Sequence, residues 1–259
     1  MGRERTIKSG GRGRKPPNLK KMSDFETIIY QKQANIAYIT LNRPQALNAY
    51  NLRMRDELYE VLGAIKDDAD VRVAVFQGAG EKAFCAGADL SEFLSAPAPT
   101  AARHVRWQRD VWGLFLSLPQ PVIAALHGYV FGSGIEMAMC CDIRIASEDA
   151  VFSLPEVALG IIPAAGATQT VPRTVGPGAA LDLLLTGRRV GAQEALEMKL
   201  VNHVVPRPDL LDKAKALAEK ISGFDQQTVC AIKQAVSRGL GLPLNMSLRG
   251  AKRRINPKL

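Results

Sequence analysis

The chain has 259 residues, 47% of them hydrophobic and 23% charged, which is typical of a soluble globular protein with a substantial core. No apolar run reaches the roughly 18 residues of a membrane helix, and the N-terminus is polar where a signal peptide is apolar. The net charge of +9 comes from the ends, since residues 1–21 carry +7, residues 249–259 carry +5 and residues 22–248 carry −3. We therefore expect a soluble, cytoplasmic protein whose folded body is mildly acidic.

The basic ends leave two interpretations open. Residues 1–21 combine glycine, proline and like charges with almost no apolar residues, so they are predicted to be disordered. Such ends can bind nucleic acid or another anionic surface, or they can be an extension without a role. The sequence divides into a disordered basic extension (1–21), one folded domain (22–248) and a basic tail (249–259).

Four cysteines and three histidines are the side chains that could form a disulfide framework or a transition-metal site. No CxxC pair occurs, and the histidines lie far apart in the chain. Cys140 and Cys141 are adjacent within an apolar segment, as small core residues often are. We expect reduced cysteines, as in the cytosol, and no metal site.

Strand and helix signals alternate along the chain. Short apolar or β-branched runs predict buried strands at 36–41, 71–76, 122–126, 143–146 and 151–154. Helical spacing predicts helices at about 51–65, 176–185, 192–198 and 208–222. A further helix is predicted in the stretch that follows residues 95–102 and ends at about residue 117. The buried face of the first helix is predicted to comprise Leu58, Val61, Leu62 and Ile65. This alternation predicts an α/β fold.

The segment 95–102 is rich in small residues and proline, which predicts a loop. It is either a mobile lid beside a pocket or a plain connector. Trp107 and Trp112, which follow it, are predicted to pack in the core, and Trp107 is also a candidate to line a pocket.

Two short turns of small residues each follow a predicted buried strand and are each predicted to open a helix. They are Ala86-Gly87-Ala88 and Gly132-Ser133-Gly134. Small side chains let a ligand approach the backbone, and the N–H groups at a helix start lack intrahelical partners and favour anions. Two such N–H groups that converge on one oxygen would form an oxyanion hole. Taken separately, each turn could also be an ordinary strand-to-helix connection.

Two glutamates lie close to the second turn. Glu136 is surrounded by apolar residues, where a carboxylate is normally paired, exposed or functional. Glu156 follows a proline at the end of a short strand and could face the same cavity. Paired carboxylates can activate water and deliver a proton, which predicts acid–base chemistry here.

Three competing chemistries lack their sequence motifs. The residues around Ser133 do not form the GxSxG of a nucleophile elbow. No segment supplies the GxxxxGK[ST] of a P-loop or the GxGxxG of a dinucleotide-binding turn. Nucleotide hydrolysis and hydride transfer on a Rossmann fold therefore lose support.

Taken together, these segments resemble the enoyl-CoA hydratase/isomerase, or crotonase, superfamily. The resemblance covers about residues 25–248, and it rests on residues 42–49, 83–90, 128–136, 150–156 and 159–163. It implies a spiral of repeated ββα units followed by a helical C-terminal region, assembled as a trimer or a hexamer. The chain ends in a basic tail where the family continues with further helices, so the expected C-terminal region is shortened.

The resemblance also implies roles for individual residues. The backbone N–H groups of Ala88 and Ser133 are expected to bind the thioester oxygen of an acyl-CoA, with serine at a position where glycine is common. Coenzyme A is part of the substrate in this family, so no separate cofactor is expected. The residues expected to contact it are Ala46, Leu47, Lys82 and Ala86, with Ala86 offering its carbonyl to the adenine amino group and Lys82 lying near the phosphates.

Glutamates at both acidic positions match the hydratase pattern of the superfamily. The resemblance implies that Glu136 orients and activates water for attack at C3 and that Glu156 delivers the proton to C2. Alternatives are an isomerase, a hydratase of a branched or cyclic acyl-CoA, and an RNA-binding protein that acts through its basic ends.

Overall fold

The computed structural model of this chain describes residues 25–95 and 109–248. Its strands are β1 (Ile28–Gln33), β2 (Ile36–Leu41), β3 (Val73–Gly78), β4 (Ala83–Cys85), β5 (Val122–Leu126), β6 (Tyr129–Phe131), β7 (Ile143–Ser147), β8 (Val151–Ser153), β9 (Val190–Gly191) and β10 (His203–Val205). Its α-helices are α1 (Leu52–Asp67), α2 (Val111–Leu116), α3 (Ser133–Met139), α4 (Ala167–Val175), α5 (Pro177–Thr186), α6 (Ala192–Glu197), α7 (Leu210–Ser222) and α8 (Gln226–Gly239). Short 3₁₀ helices span Pro44–Ala46, Leu90–Ser95, Pro155–Leu159 and Arg207–Asp209.

The strands form two sheets. The larger sheet has the order β1-β2-β3-β5-β7-β10, in which only β1 and β2 are antiparallel. The smaller sheet has the order β4-β6-β8-β9, in which β4, β6 and β8 are parallel and β9 runs antiparallel to β8. Three consecutive pairs of strands are divided between the sheets: β3, β5 and β7 lie in the larger sheet, and β4, β6 and β8 lie in the smaller one. A helical segment follows each pair. The predicted α/β spiral of ββα units is confirmed.

Helices cover both faces of the larger sheet, which explains its continuous apolar strands. In β3, Ala74 and Phe76 face the main core, whereas Val73 and Val75 face a second cluster. Helix α7 covers that second cluster with Leu210, Ala214 and Ala218. A strand buried on both faces has no alternation of apolar and polar residues, so β3 and β5 read as unbroken apolar runs.

Most predicted elements are present close to their predicted bounds. Strands β2 and β5 match the prediction, and the four residues of the predicted α1 face, Leu58, Val61, Leu62 and Ile65, are all fully buried. Helix α1 begins after Asn51, whose side chain accepts a hydrogen bond from the Met54 N–H at 2.8 Å. Such an N-cap satisfies one of the free donors of the first turn.

The turn Ala86–Ala88 was predicted to open a helix, and the segment after it, Leu90–Ser95, is a short 3₁₀ helix. The Asp89 side chain accepts hydrogen bonds from the Ser91 N–H and hydroxyl at 3.2 and 2.7 Å. This local side-chain bonding stabilises a tight turn at the point where an α-helix would start.

Several predictions fall outside the described residues: the disorder of 1–21, the basic tail 249–259, Trp107 and the loop 95–102 beyond residue 95. Trp112 packs against the main core, with its ring 5.4 Å from that of Tyr50. Within the described ranges, no helix is both long and apolar enough to cross a bilayer.

Candidate active site

Three turns meet at one edge of the smaller sheet. Because β4, β6 and β8 are parallel, the residues that follow them emerge at the same edge. Strand β4 leads into the turn 86–88, β6 into Gly132 and Ser133, and β8 into the segment that carries Glu156. The topology therefore brings together three segments that are separated by up to 70 residues in the chain.

The first turn is bonded to the backbone of Tyr50, and the Ala88 N–H points away from Tyr50. Ala88 forms a parallel bridge with Tyr50, in which the Tyr50 N–H donates to the Gly87 carbonyl at 2.8 Å. The Asp89 N–H donates to the Tyr50 carbonyl at 2.9 Å. Both bonds to Tyr50 flank Ala88, so the N–H of Ala88 faces the opposite side of the strand.

The second turn places the Ser133 N–H at the start of α3. Gly132 has φ +48°, a conformation that favours glycine, and its N–H donates to the Ser153 carbonyl at 3.0 Å. Ser133 is the first residue of α3, so its N–H has no acceptor within the helix. The arrangement leaves this donor available for a ligand.

The two turns pack directly against each other. A Cβ built on Gly132 would lie 3.5 Å from the Gly87 Cα, and one built on Gly134 would lie 2.3 Å from the Cys85 carbonyl oxygen. The distance at Gly134 leaves no room for a side chain, so glycine is required there, whereas the distance at Gly132 is an ordinary van der Waals contact. The predicted donors Ala88 and Ser133 thus belong to adjoining turns.

Glu136 is buried in the first turn of α3, with 3% of its surface exposed. Its Oε1 atom accepts hydrogen bonds from the N–H groups of Ala165 and Ala167 at 2.9 and 3.2 Å. Burial raises the pKa of Glu136, and the charge of Glu156 acts in the same direction, against the backbone donors. The carboxyl is oriented through one oxygen, which leaves its Oε2 atom for another partner.

Glu156 lies in the 3₁₀ helix Pro155–Leu159, and its side chain reaches the second turn. A Cβ built on Gly132 would come within 2.9 Å of the Glu156 Oε1 atom. The Oε2 atom is buried and has no hydrogen-bond partner within the described ranges. Burial raises the pKa of Glu156 as well, so both carboxyls favour the neutral form more than an exposed glutamate does.

These raised pKa values predict a pH-dependent gain in stability when the two carboxyls are removed. Because both pKa values are raised, the folded state binds more protons than the unfolded state at pH values above the ordinary pKa of 4.5. The free energy of unfolding of the wild type therefore falls as the pH rises from that value through the raised pKa values. The double variant Glu136→Gln/Glu156→Gln is therefore expected to be more stable than wild type at pH 7, with the difference closing toward pH 4. Urea unfolding at both pH values measures it, and a constant difference would contradict the expected ionisation.

The structure brings together some, but not all, of the predicted coenzyme A contacts. The Ala86 N–H donates to the Leu47 carbonyl at 3.0 Å, and Ala46 ends the 3₁₀ helix just before Leu47. Lys82 lies at the other end of β4, and its side chain is exposed. Its carbonyl accepts from the Tyr129 N–H at 3.0 Å, which is a structural contact.

Asn48, whose role was not predicted, holds this loop in place. It is fully buried with φ +55°, and its Oδ1 atom accepts from the Arg43 N–H at 2.8 Å. Its Nδ2 group donates to the carbonyls of Ala79 and Ala83 at 2.9 and 2.8 Å. One side chain therefore connects the loop after β2 with the β3–β4 turn.

Replacing Asn48 by alanine is expected to lower the free energy of unfolding by about 3 kcal/mol, because one buried and two partly buried backbone groups lose their partner. Urea unfolding measures the change. Gln77→Ala is the matched control, since its amide makes one hydrogen bond, to the Thr40 hydroxyl at 2.9 Å. Equal losses in the two variants would contradict the role of Asn48.

The amide groups that hold Glu136 were also missed. They come from the run of small residues that follows Pro163, in which Gly166 has φ +120°. The small-residue run was visible in the sequence, but a backbone donor has no side-chain signature. Within the described ranges, no group of three or more His, Cys, Asp and Glu side chains is arranged to hold a metal ion.

Comparison with known proteins gives consistent matches over most of the chain. The sequence profile of the enoyl-CoA hydratase/isomerase family matches residues 31–255. A putative enoyl-CoA hydratase/isomerase of Bacillus subtilis is 44% identical over 224 residues, 86% of each chain. A short-chain-enoyl-CoA hydratase of Clostridium acetobutylicum is 40% identical over 225 residues, 87% of this chain and 86% of the other.

A solved structure shows the same likeness in three dimensions. The crystal structure of an enoyl-CoA hydratase from Bacillus anthracis superposes with a TM-score of 0.85 at 41% identity. The match covers 89% of this chain and 90% of the other. The likeness therefore extends over the whole spiral and not only over the three turns of the site.

Proposed function

Because this chain belongs to the enoyl-CoA hydratase/isomerase family, we propose that it is an enoyl-CoA hydratase. It is a hydro-lyase that adds water across the 2,3 double bond of a 2-enoyl-CoA to give a 3-hydroxyacyl-CoA. The observation that carries the proposal is a pair of glutamates beside two adjoining turns with available N–H groups: Glu136 is buried, and Glu156 is half-buried with a buried Oε2 atom.

The backbone at the two turns binds the thioester. The N–H groups of Ala88 and Ser133 donate to the carbonyl oxygen, which gains negative charge as water attacks C3 and the enolate-like transition state forms. Donors fixed by the fold need no reorganisation at that moment, and each contributes a factor of about 10² to 10³ in rate.

The two carboxyls have different roles in proton transfer. Glu136, held through Oε1, uses its Oε2 atom to orient water and to accept a proton as the oxygen bonds to C3. Glu156, whose buried Oε2 atom has no partner within the described ranges, donates a proton to C2. One proton enters the pair and one leaves it, so the pair holds the same number of protons before and after the reaction.

The coenzyme A part of the substrate lies along the loop after β2. Ala46 and Leu47 contact it from this loop, and Ala86 offers its carbonyl to the adenine amino group. Lys82, exposed at the start of the neighbouring strand, contributes positive charge toward the phosphates. The substrate supplies its own coenzyme A, so the reaction requires no separate cofactor.

An assay with a series of 2-enoyl-CoA substrates tests this function and its alternatives. Hydration of crotonyl-CoA removes the absorbance of the conjugated thioester, and a change of acyl length, branching or ring content reveals the preferred chain. Preference for a branched or cyclic chain would select that variant of the hydratase. An absence of turnover across the series would contradict the proposed function.

The chain also has a surface suited to self-association into a trimer or a hexamer. Helix α8 has no buried residue, and apolar residues four positions apart continue along it and beyond its end. They are more than half exposed: Ile232, Val236, Leu240, Leu244 and Leu248. A stripe of this kind is typical of an interaction surface.

A charge placed on this stripe is expected to break the assembly. Wild type should elute as a trimer or a hexamer in size-exclusion chromatography with light scattering, and Val236→Glu should shift it toward the monomer. Lys213→Glu, on the exposed side of α7, is the matched control and should leave the mass unchanged. A monomeric wild type would overturn this part of the proposal.

The buried thiols support the proposed cytoplasmic compartment. Cys85, Cys140 and Cys141 are buried as free thiols, a state that a reducing cytosol maintains. Nucleic-acid binding by residues 1–21 and 249–259 is the alternative with least support, because the family that the chain matches is one of enoyl-CoA hydratases and isomerases. Deletion of both ends, followed by RNA binding over a salt series, tests it.

A further inference from the structure

An ion pair between Arg43 and Asp89 joins the loop after β2 to the turn that carries the Ala88 N–H. The Arg43 Nη2 atom lies 2.9 Å from the Asp89 Oδ2 atom, and 17% of each side chain is exposed. Asp89 directly follows Ala88, and neither charged side chain has a part in the mechanism described above. We propose that this ion pair positions the Ala88 N–H for the thioester oxygen, an inference that rests on the proposed function.

The guanidinium group of Arg43 binds both backbone segments of the Tyr50–Ala88 bridge. Its Nη1 atom donates to the Ala49 carbonyl at 2.6 Å, and its Nη2 atom donates to the Asp89 carboxylate. Ala49 directly precedes Tyr50 in one segment, and Asp89 directly follows Ala88 in the other. A guanidinium is planar and holds its donors in a fixed geometry. One rigid group therefore fixes the two segments relative to each other, in addition to the backbone hydrogen bonds of the bridge.

Both members of the ion pair are themselves held in place. The Arg43 N–H donates to the Asn48 Oδ1 atom at 2.8 Å, and the Arg43 carbonyl accepts from the Asn48 N–H at 2.9 Å. The Asp89 Oδ1 atom accepts from the Ser91 hydroxyl at 2.7 Å, which directs the Oδ2 atom to Arg43. Hydrogen bonds from Ser91 and Arg43 lower the pKa of Asp89, so its carboxylate is charged near pH 7. The link from the loop to the turn is thus a fixed contact between two charged groups.

The consequence of this link is expected in catalysis more than in stability. An ion pair whose side chains are partly exposed contributes little to the free energy of unfolding. An oxyanion donor, by contrast, acts only over the short distance of a hydrogen bond, so a small displacement of Ala88 weakens it. The thioester oxygen gains charge only when water attacks C3. Loss of the ion pair should therefore lower kcat more than it changes KM.

The test compares Arg43→Lys and Asp89→Asn. Lysine keeps the charge but not the fork of donors, and asparagine has one carboxamide oxygen in place of two carboxylate oxygens. Each substitution is expected to lower kcat for crotonyl-CoA about tenfold, with a change in KM of less than about twofold. The double variant should be no slower than the slower single variant, because the two residues act as one unit.

Arg207→Lys is the matched control. The Arg207 guanidinium also binds one carboxylate and one carbonyl, those of Asp149 at 3.0 Å and Glu81 at 3.3 Å. These two acceptors precede β8 and β4, so they lie at the edge of the smaller sheet opposite to the three turns. This variant should keep the kcat of the wild type.

A spectroscopic measurement separates the positioning role from a merely structural one. A dimethylaminocinnamoyl-CoA absorbs at longer wavelength when its thioester oxygen is polarised, and the shift needs no turnover. We expect a smaller shift on Arg43→Lys and on Asp89→Asn than on wild type and on Arg207→Lys. Circular dichroism shows which variants are folded, and either folded variant decides the test.

Three results would overturn the positioning role. They are a folded variant with the kcat of the wild type, a lower kcat with an unchanged shift, and the failure of both variants to fold, which would show that the ion pair is structural. Loss of hydration by the wild type itself would instead overturn the proposed function, and the shift would still test the ion pair.

Discussion

Replacing Glu136 by glutamine is expected to lower kcat for the hydration of crotonyl-CoA by about 10²- to 10⁴-fold, the usual contribution of a positioned general base. Glutamine can keep the acceptor for the Ala165 and Ala167 N–H groups, so the fold of the site should persist. What it removes is the group that, in the proposed mechanism, accepts the proton from water. KM should change little, because the proposed binding of the thioester uses only backbone N–H groups.

Steady-state kinetics measure this effect, with urea unfolding to show that the variant is folded. Glu197→Gln is the matched control, because this glutamate is exposed on α6, away from the three turns. It should be as active as wild type. Equal rates in wild type and in the double variant Glu136→Gln/Glu156→Gln would remove both carboxyls from the mechanism.

Replacing Gly134 by alanine is also expected to cause a large loss of activity. Its Cβ would lie 2.3 Å from the Cys85 carbonyl oxygen, at the contact where α3 begins against the end of β4. Since both atoms belong to the backbone or are fixed to it, one of the two segments must move. The turn after Cys85 carries the Ala88 N–H and α3 carries the Ser133 N–H, so their separation changes. Loss of one oxyanion donor lowers kcat by about 10² to 10³.

Gly63→Ala is the matched control for this substitution. Gly63 lies inside α1, and a Cβ built there would meet no atom within 4 Å. Alanine at that position should raise the free energy of unfolding by about 0.5 to 1 kcal/mol and leave kcat unchanged. A Gly134→Ala variant with wild-type kcat would show that the close contact of the two turns does not set the oxyanion hole.

The elements that could be predicted from sequence are those whose burial leaves a periodic or continuous pattern. Strands β2 and β5 were located at their observed bounds, and α1 was located through its apolar face. Strands β4 and β6 have three residues each, too few for a pattern. Strand β8 was predicted from its apolar run, but the pairing of all three strands depends on partners far away in the chain. The edge at which the three turns meet was therefore not visible from local sequence.

The residues of the site also divide into those that local sequence could predict and those that only the fold reveals. Glu136 stood out because a charge among apolar residues needs an explanation, and Gly132 and Gly134 stood out because small residues followed a strand. The partners of Glu136 could not be predicted, because they are backbone N–H groups of Ala165 and Ala167, whose own side chains carry no signal. Asn48 escaped notice because its three hydrogen bonds join segments that only the fold brings together.

In the proposed reaction, two glutamates and two backbone turns add water to an enoyl thioester. The most direct test is the product formed from a 2-enoyl-CoA of medium length in isotopically labelled water, identified by mass spectrometry. We expect a 3-hydroxyacyl-CoA that carries one labelled oxygen at C3, and a far slower reaction in the Glu136→Gln/Glu156→Gln variant. An acyl-CoA with a shifted double bond and no labelled oxygen would contradict hydration and identify the enzyme as an isomerase.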